Sequence, residues 1–595
     1  MAGPIRIPLM GLPNNRSGDT TKDQKYINCY PEAIKNPQEP DEGIQYLCIK
    51  RAGHIQDNTV IAGDQVPRGI YYWNDAQYTA YGNKIYKNTT PIITLTTSAG
   101  RVGFEGYGSN QTQLFVCDGT DGYIIYINGS YRKINPVTWT ATTAYTVGQR
   151  VAPTKYNGYT YEVTIAGTSG ASEPSWPTVV NNTVVNGTVT FKCIEYVAFP
   201  TAEPTVTRAN STAYVLGTIA IDAAYPNFAF SCTTAGTTAG SAPTWNTVIG
   251  ATTTDGTITW TTIARSTVIT GHVPKPVVMD GYIFLLNNAG DLVNSAVEDP
   301  LNWPALGYVS AELLPDRALW IERHINHIAV FGENSIEFFY NSGNADGSPL
   351  ERTSQASILV GTNSPDTIVE RDGVILFVAN SQTGGVHVAA IEGMKIKPLT
   401  NESYNRTLEY EGNDIQIATA YTVRTGGHYF YVLNLNKSDR SLVYDITQKF
   451  WHEWDYQGGK TPFVYSAARD EEYMLQKTGS GTVFKMSTTS YQDEGQDMAV
   501  TIQTPLLDGN NQYRKFMRRC VAVGDTQTTN SPIYLSYTDD DYKTWSSQKE
   551  STLDGYRAIW KRLGSFRRRA FKLYHSANTP LRLIALEMDL EVGVE

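Results

Sequence analysis

The chain has 595 residues, a formal net charge of −10 and a 41% hydrophobic share, with 50 Gly and 38 Tyr. That length predicts about two to four domains with ample cores. The acidic balance excludes a protein that reads nucleic-acid sequence through a basic footprint, though not a wall along which phosphate slides without sticking.

No apolar run reaches the roughly 18 residues of a membrane span, and the N-terminus has no apolar signal core, so neither a spanning helix nor a signal peptide is expected. The six cysteines (Cys29, Cys48, Cys117, Cys193, Cys232 and Cys520) form no CxxC pair and no cluster. They read as free buried thiols of a chain folded in a reducing cytoplasm. Richness in Tyr, Gly and Thr favours turn-dense β structure. No long helical period appears, so helix should be scarce.

Residues 1–60 read as an irregular arm with short strands at Tyr26–Tyr30 and Tyr46–Ile49, closed by Lys50-Arg51-Ala52-Gly53. An arm with so little core of its own is expected to pack on the main body or on a neighbouring subunit. Residues 61–135 and 266–500 carry seven stretches of one design: Tyr78–Thr89, Leu114–Gly129, Tyr282–Val297, Ile328–Asn341, Val374–Ile391, Tyr429–Thr447 and Tyr473–Met486. Each is an apolar run, a turn rich in Gly, Asn, Asp or Ser, and a second apolar run, which is a hairpin signature. Their starts lie 36, 168, 46, 46, 55 and 44 residues apart. Once Pro136–Arg265 is set aside as an insertion, a hairpin every 36–55 residues predicts an all-β propeller of about seven blades.

The insertion is a tandem repeat at a constant offset of 69. Tyr145 matches Tyr214, Gly148 matches Gly217, Tyr161 matches Phe230 and Gly167 matches Gly236. Pro174 likewise matches Pro243, Trp176 matches Trp245, Gly187 matches Gly256 and Phe191 matches Trp260. Eight positions aligned without a gap predict two copies of one small β module, about 136–200 and 205–265. Each should end in a hairpin, through Asn186-Gly187 or Asp255-Gly256. Residues 501–595 read as a C-terminal β platform domain with strands at Ala499–Leu507, Met517–Val523, Ile533–Thr538, Phe571–Tyr574 and Leu581–Leu590. Within it, Thr538–Trp545 (TDDDYKTW) is similar to an Asp-box hairpin, with Tyr542 where a Gly is usual.

Candidates for chemistry are few. His324 and His327 precede a strand pattern, which predicts side chains on opposite faces rather than a metal site. Asp539-Asp540-Asp541 lacks the Gly and downstream Glu of a calcium loop and reads as a solvated turn. No nucleophile elbow, zincin, P-loop or dinucleotide-binding motif is present, and Gly384-Gly385 and Gly426-Gly427 read as hairpin turns. No catalytic residue, metal or cofactor is expected. Two basic runs stand against the acidic background: Arg514, Lys515, Arg518 and Arg519, and Arg567, Arg568 and Arg569. They read either as phosphate or partner docking or as edge protection with local ion pairing; alternation places Arg567 and Arg569 on one face and Arg568 on the other. Trp176 and Trp245, with Tyr161 and Phe230, read either as sugar-stacking platforms or as the aromatic cores of their modules.

The arm (Arg6-Ile7-Pro8-Leu9, Lys25–Glu32 and Lys50–Gly53) and the segment Trp560–Arg569 resemble the two ends of tail nozzle proteins of short-tailed bacteriophages, also known as packaged-DNA stabilisation proteins. The resemblance takes in both flanks and the propeller, about 465 residues, but not the insertion, whose repeats look like small carbohydrate-binding-type modules of phage tails. It implies a non-enzymatic virion tail protein assembled in the host cytoplasm. It further implies a homohexamer below the portal and adaptor rings, beside tail fibres or spikes, with double-stranded DNA passing through its lumen unread. For the modules, host surface glycan, tail fibres and a purely packing role all stay open as readings. Two other classes remain open: a carbohydrate-binding adhesin, and a propeller glycosidase, which would need paired carboxylates facing the ring axis.

Overall fold

The computed structural model describes residues 5–10, 24–35, 44–60, 66–154, 157, 159–196, 199–200, 206–222, 224–225, 228–266, 271–304, 306–312, 314–344, 347–354, 356–381, 385–456, 462–468, 472–477, 481–487, 489–509 and 511–593. The chain divides into two compact units. One holds Met1–Tyr72, Gln77–Tyr81 and Leu359–Glu595; the other holds Trp73–Ala76 and Gly82–Ile358.

The fold is a seven-bladed β-propeller with a two-module insertion and a C-terminal β domain. Each blade has four strands; six blades are separate four-stranded sheets, and the strands of blade 6 continue into a larger sheet. Blade 1 is Pro67–Trp73, Ala76–Tyr81, Lys84–Lys87 and Thr90–Thr94; blade 2 is Gly103–Tyr107, Gln113–Cys117, Gly122–Tyr126 and Tyr131–Lys133. Blade 3 is Val277–Met279, Tyr282–Leu286, Asp291–Asn294 and Tyr308–Ser310; blade 4 is Ala318–His324, His327–Gly332, Ile336–Asn341 and Leu350–Arg352. Blade 5 is Val369–Arg371, Val374–Asn380, Val386–Glu392 and Lys395–Pro398; blade 6 is Thr419–Thr425, His428–Leu435, Arg440–Asp445 and Phe450–Trp454. In blade 7, Pro462–Ala468, Glu472–Lys477 and Thr482–Met486 are completed by His54–Val60 from the start of the chain. Each of the seven predicted hairpins is the middle pair of strands of one blade.

Where neighbouring blades share a core the contact is apolar, because strands such as Gln113–Cys117 and Tyr282–Leu286 bury both faces. Blades 2 and 3 share Phe115, Ile124, Ile283, Leu285 and Trp303, and blades 3 and 4 share Phe284, Leu292, Ile328 and Phe339. Blade 7 meets blade 1 where Val483 packs with Ile70 and Tyr72. The Tyr81 hydroxyl donates to the Thr482 carbonyl, 3.3 Å away. Contributing an N-terminal strand to the last blade removes an open edge.

The C-terminal domain is built with the arm. Lys25–Ile27 pairs in parallel with the last strand of blade 6 and antiparallel with Val500–Gln503, giving a nine-stranded sheet. Asn28 has φ 57° and turns the chain out of that sheet. Cys29–Lys35 and Ile44–Lys50 then enter a second sheet with Lys515–Gly524 and Arg582–Val592, onto which Ile5–Pro8 adds an edge strand. The shared core joins Ile7, Leu9, Met10, Tyr26, Cys29 and Cys48 to Ile502, Cys520, Trp560, Phe571 and Leu586. The described strands of the arm thus lie in the sheets of their own chain.

The modules repeat strand for strand. Arg150–Ala152, Tyr159–Ile165, Thr183–Asn186 and Val189–Tyr196 recur 69 residues later as Ile219–Ile221, Phe228–Thr234, Thr252–Asp255 and Ile258–Ser266. All six cysteines are free and buried. One α-helix is described, Glu402–Glu411, capped by Asn401, whose side chain accepts from the amides of Ser403 and Tyr404. Of the expected Gly384-Gly385 turn, Gly384 lies outside the described residues. Gly385 (φ 86°), Gly426 (φ 59°) and Gly427 (φ 82°) take the left-handed conformation expected of turns.

Candidate functional surfaces

The second basic run splits inside from outside. Regular strand structure stops at Phe566 and resumes at Ala570, so the alternation predicted for Arg567, Arg568 and Arg569 does not apply. Arg569 is buried and forks onto Asp539 with two 2.7 Å bonds, gives a third to the Leu563 carbonyl, and stacks on Tyr537 and Phe566. Arg567 and Arg568 are both exposed; Arg567 bonds the Gln512 carbonyl and Arg568 pairs with Asp541.

The first run is divided in the same way. Lys515 is buried, its ammonium held by the carbonyls of Asn511, Tyr513 and Arg567, each at 2.9 Å. Arg514, Arg518 and Arg519 are exposed; Arg518 pairs with Glu591 at 2.7 Å and Arg519 with Asp589 at 3.8 Å. The exposed members of the two runs are therefore Arg514, Arg518, Arg519, Arg567 and Arg568, of which Arg518, Arg519 and Arg568 are paired with carboxylates.

The Asp539-Asp540-Asp541 turn is consumed by its own neighbourhood. Asp539 and Asp541 answer Arg569 and Arg568, while Asp540 accepts from Thr544 and Thr538, which holds its carboxyl down to about 2. Asp541 (φ 60°) and Tyr542 (φ 62°) take left-handed conformations, so Tyr542 occupies a position better suited to Gly. Its hydroxyl bond to the Thr504 carbonyl is the local compensation.

The histidine pair departs from expectation. His324 and His327 close a tight hairpin, with Ile325 at φ 56°, and face each other as cross-strand partners. They therefore share one side of the sheet instead of taking opposite faces. His324 is buried and His327 half-buried, and burial followed by repulsion from His324 lowers the pKa of His327. No group of three potential metal ligands occurs among the described residues.

Three of the four insert aromatics are core. Tyr161 and Phe230 are 0% exposed and Trp245 is 4% exposed, stacked on Phe230 at 3.5 Å. Filling the module interior leaves them no open face for a sugar ring. Trp176 is half-buried against Tyr161 and Phe191. Each tryptophan nitrogen donates to a carboxylate at 2.8 Å, Trp176 to Glu173 and Trp245 to Asp222.

Two features had no counterpart among the sequence candidates. The first is a polar cluster around Arg51, which is fully buried. It bonds both carboxylate oxygens of Asp493 (3.0 and 2.6 Å) and the Asn28 side chain (2.8 Å), and lies over Trp454 and Tyr456. Its only sequence trace was a basic pair closing the arm. The second is a groove of about 630 Å³ beside the first insert module, lined by Lys84, Tyr131, Lys133 and Gln149 among others. Its walls come from three separated stretches, so no local pattern announces it.

Residues 204–468 match the family model described as Bacteriophage P22 Gp10, beta-propeller. The match takes in the second insert module, blades 3 to 6 and the first strand of blade 7, less than half of the chain. It supports a phage structural protein built on a propeller. No relative matches among curated proteins. Among solved structures, the chain is similar to the N-terminal domain of Nup159 (8% identity, covering 78% of this chain and 98% of that chain, TM-score 0.31). It is also similar to a streptogramin B lyase (10%, 74% and 97%, 0.30) and to an exo-β-1,3-galactanase from Phanerochaete chrysosporium (10%, 69% and 100%, 0.22). At these scores the similarities carry no argument about activity.

Proposed function

We propose that the chain is the nozzle subunit of a short-tailed phage virion. In this reading identical copies form a ring below the portal and adaptor, enclosing a channel that retains the packaged DNA and conducts it during ejection. The observation that carries the reading is the match of residues 204–468 to the P22 Gp10 propeller. Two physical features support it. A propeller whose last blade is completed by an N-terminal strand, and whose blade 6 shares a sheet with the C-terminal β domain, is stiff, as a conduit under load must be. A net charge of −10 disfavours adhesion of the DNA backbone to the wall. Arg514 and Arg567, exposed and not ion-paired among the described residues, are then candidates for contact with an acidic neighbour such as an adaptor subunit, with Arg518, Arg519 and Arg568 able to exchange their surface partners. The role is structural rather than catalytic.

The test is DNA retention. Particles assembled without this chain should package DNA and then lose it, measured as DNA sensitive to added nuclease. Full nuclease protection in its absence would overturn the proposal.

A further inference from the structure

We propose that the groove beside the first insert module binds an acidic saccharide, a sugar carrying a carboxylate or a phosphate. The inference goes beyond the nozzle reading and does not rest on it.

The groove exists because the first module is seated on blade 2. Arg150, buried, donates to the carbonyls of Lys133 and Ile134, and Arg132 pairs with Glu162 at 3.4 Å. The turn at Gly148 (φ 85°) presses on the last strand of the blade, where a Cβ would lie 3.1 Å from the Tyr131 carbonyl. The second module carries Ile219 and Ser231 where the first has Arg150 and Glu162. Its matching glycine, Gly217, faces open space. The groove is thus a product of this docking, made by residues that the second module does not carry at the matching positions.

Its lining suits one ligand class. A volume of about 630 Å³ falls in the usual range of small-molecule sites. The walls mix the phenols of Tyr123 and Tyr131 and the polar tips of Thr146 and Gln149 with aliphatic Ile93 and Val147, a combination that fits the hydroxyl edges and apolar faces of a pyranose. Two lysines line it and no acidic residue does, in a chain whose net charge is −10. Lys133 is held by Asp121 at 2.8 Å and positioned by it; Lys84 is exposed at the rim and supplies the uncompensated positive charge. That local reversal of sign favours an anionic sugar over a neutral one.

The test is calorimetric titration of the full chain with four probes: a uronic-acid oligosaccharide, a hexose phosphate, neutral dextran oligomers and inorganic phosphate. Saturable binding of either acidic sugar is expected, weakening with added salt and falling at least tenfold in Lys84→Glu and Tyr131→Ala. Lys561→Glu, an exposed lysine in the C-terminal domain, makes the same change in net charge and should leave binding intact. The proposal is overturned by no binding of any sugar, by equal binding of dextran, by binding of inorganic phosphate alone, or by equal loss in Lys561→Glu. Because Lys84 and Tyr131 are tested separately, loss on one variant through misfolding is checked by the other.

Discussion

Arg51 and Asp493, 442 residues apart in sequence, form a doubly bonded ion pair with side chains 0% and 3% exposed. Arg51 lies three residues before the strand that completes blade 7, and Asp493 follows the last strand of that blade contributed by the C-terminal half. The pair therefore fastens the point where the two ends of the chain meet. Removing one member leaves a buried charge without its partner, which costs about 3–5 kcal/mol. Arg51→Met and Asp493→Leu should each lower the denaturant midpoint strongly, and the double variant should recover part of the loss. A double variant as poor as the sum of the singles would show that the two residues act independently.

Acid should destabilise the fold well above the carboxylate range. Burial lowers the pKa of His54 and His272 to about 4, and of His452 and His575 to about 3. Near pH 7 these rings are neutral in both states. As pH falls below about 6.5 the unfolded chain takes up protons while the folded chain does not, so stability is lost from there down to the folded pKa values. Each ring contributes up to about 1.4 kcal/mol per pH unit in that window. Urea midpoints measured from pH 7 to 4.5 should fall steadily. A flat profile would contradict the neutral burial of these rings.

The two modules solve one internal position differently. Arg208 forks onto buried Asp255 in the second, whereas Trp139 and Asn186 stand at those places in the first. Arg208→Ala should cost about 3–5 kcal/mol through the stranded carboxylate. The combined change Arg208→Trp with Asp255→Asn copies the first module and should restore most of that. Thermal unfolding of the unaltered chain, Arg208→Ala and the double variant measures the recovery directly.

The module hairpins depend on glycine for space as well as conformation. A Cβ at Gly187 or Gly256 would lie 2.2 or 2.3 Å from the carbonyl of Thr168 or Thr237, at φ 67° and 65°. Gly217 has φ 81° with nothing within 4 Å. Gly217→Ala should therefore cost only the left-handed penalty of about 1–2 kcal/mol, and Gly187→Ala and Gly256→Ala considerably more. Equal costs at all three positions, measured by limited proteolysis and thermal melts, would refute the steric argument.

The basic runs should separate by burial. Arg569→Ala removes a buried guanidinium with three bonds and two ring contacts, and should destabilise by about 1–3 kcal/mol, because the Asp539 left behind is 39% exposed and stays solvated. Arg518→Ala, whose pair is more than 60% exposed on both sides, should change stability by about 1 kcal/mol or less.

What was legible from sequence follows from where each signal resides. The second strand of a blade, as in Tyr282–Leu286 or Val374–Asn380, is mostly apolar and returns through a short polar turn, so hairpins such as Ile328–Asn341 stand out. Outer strands such as Tyr131–Lys133 and Leu350–Arg352 are three residues long and carry no period. The strand His54–Val60 belongs to a blade more than 400 residues away, and only tertiary pairing reveals it. The helix Glu402–Glu411 buries Ser403, Tyr404, Thr407, Leu408 and Glu411, a helical spacing written largely in polar residues, so hydrophobic periodicity misses it. Arg569 and Lys515 read as surface charges because nothing local marks the carboxylate and carbonyls that receive them. The tandem repeat was legible in full because an internal repeat supplies its own alignment.

The most direct test of the nozzle account is the rotational symmetry of the purified assembly, read from electron-microscopy class averages together with its mass. The account predicts six copies of the 65.8 kDa chain around an open central channel. A monomeric particle, or a closed assembly with no opening on its axis, would contradict it.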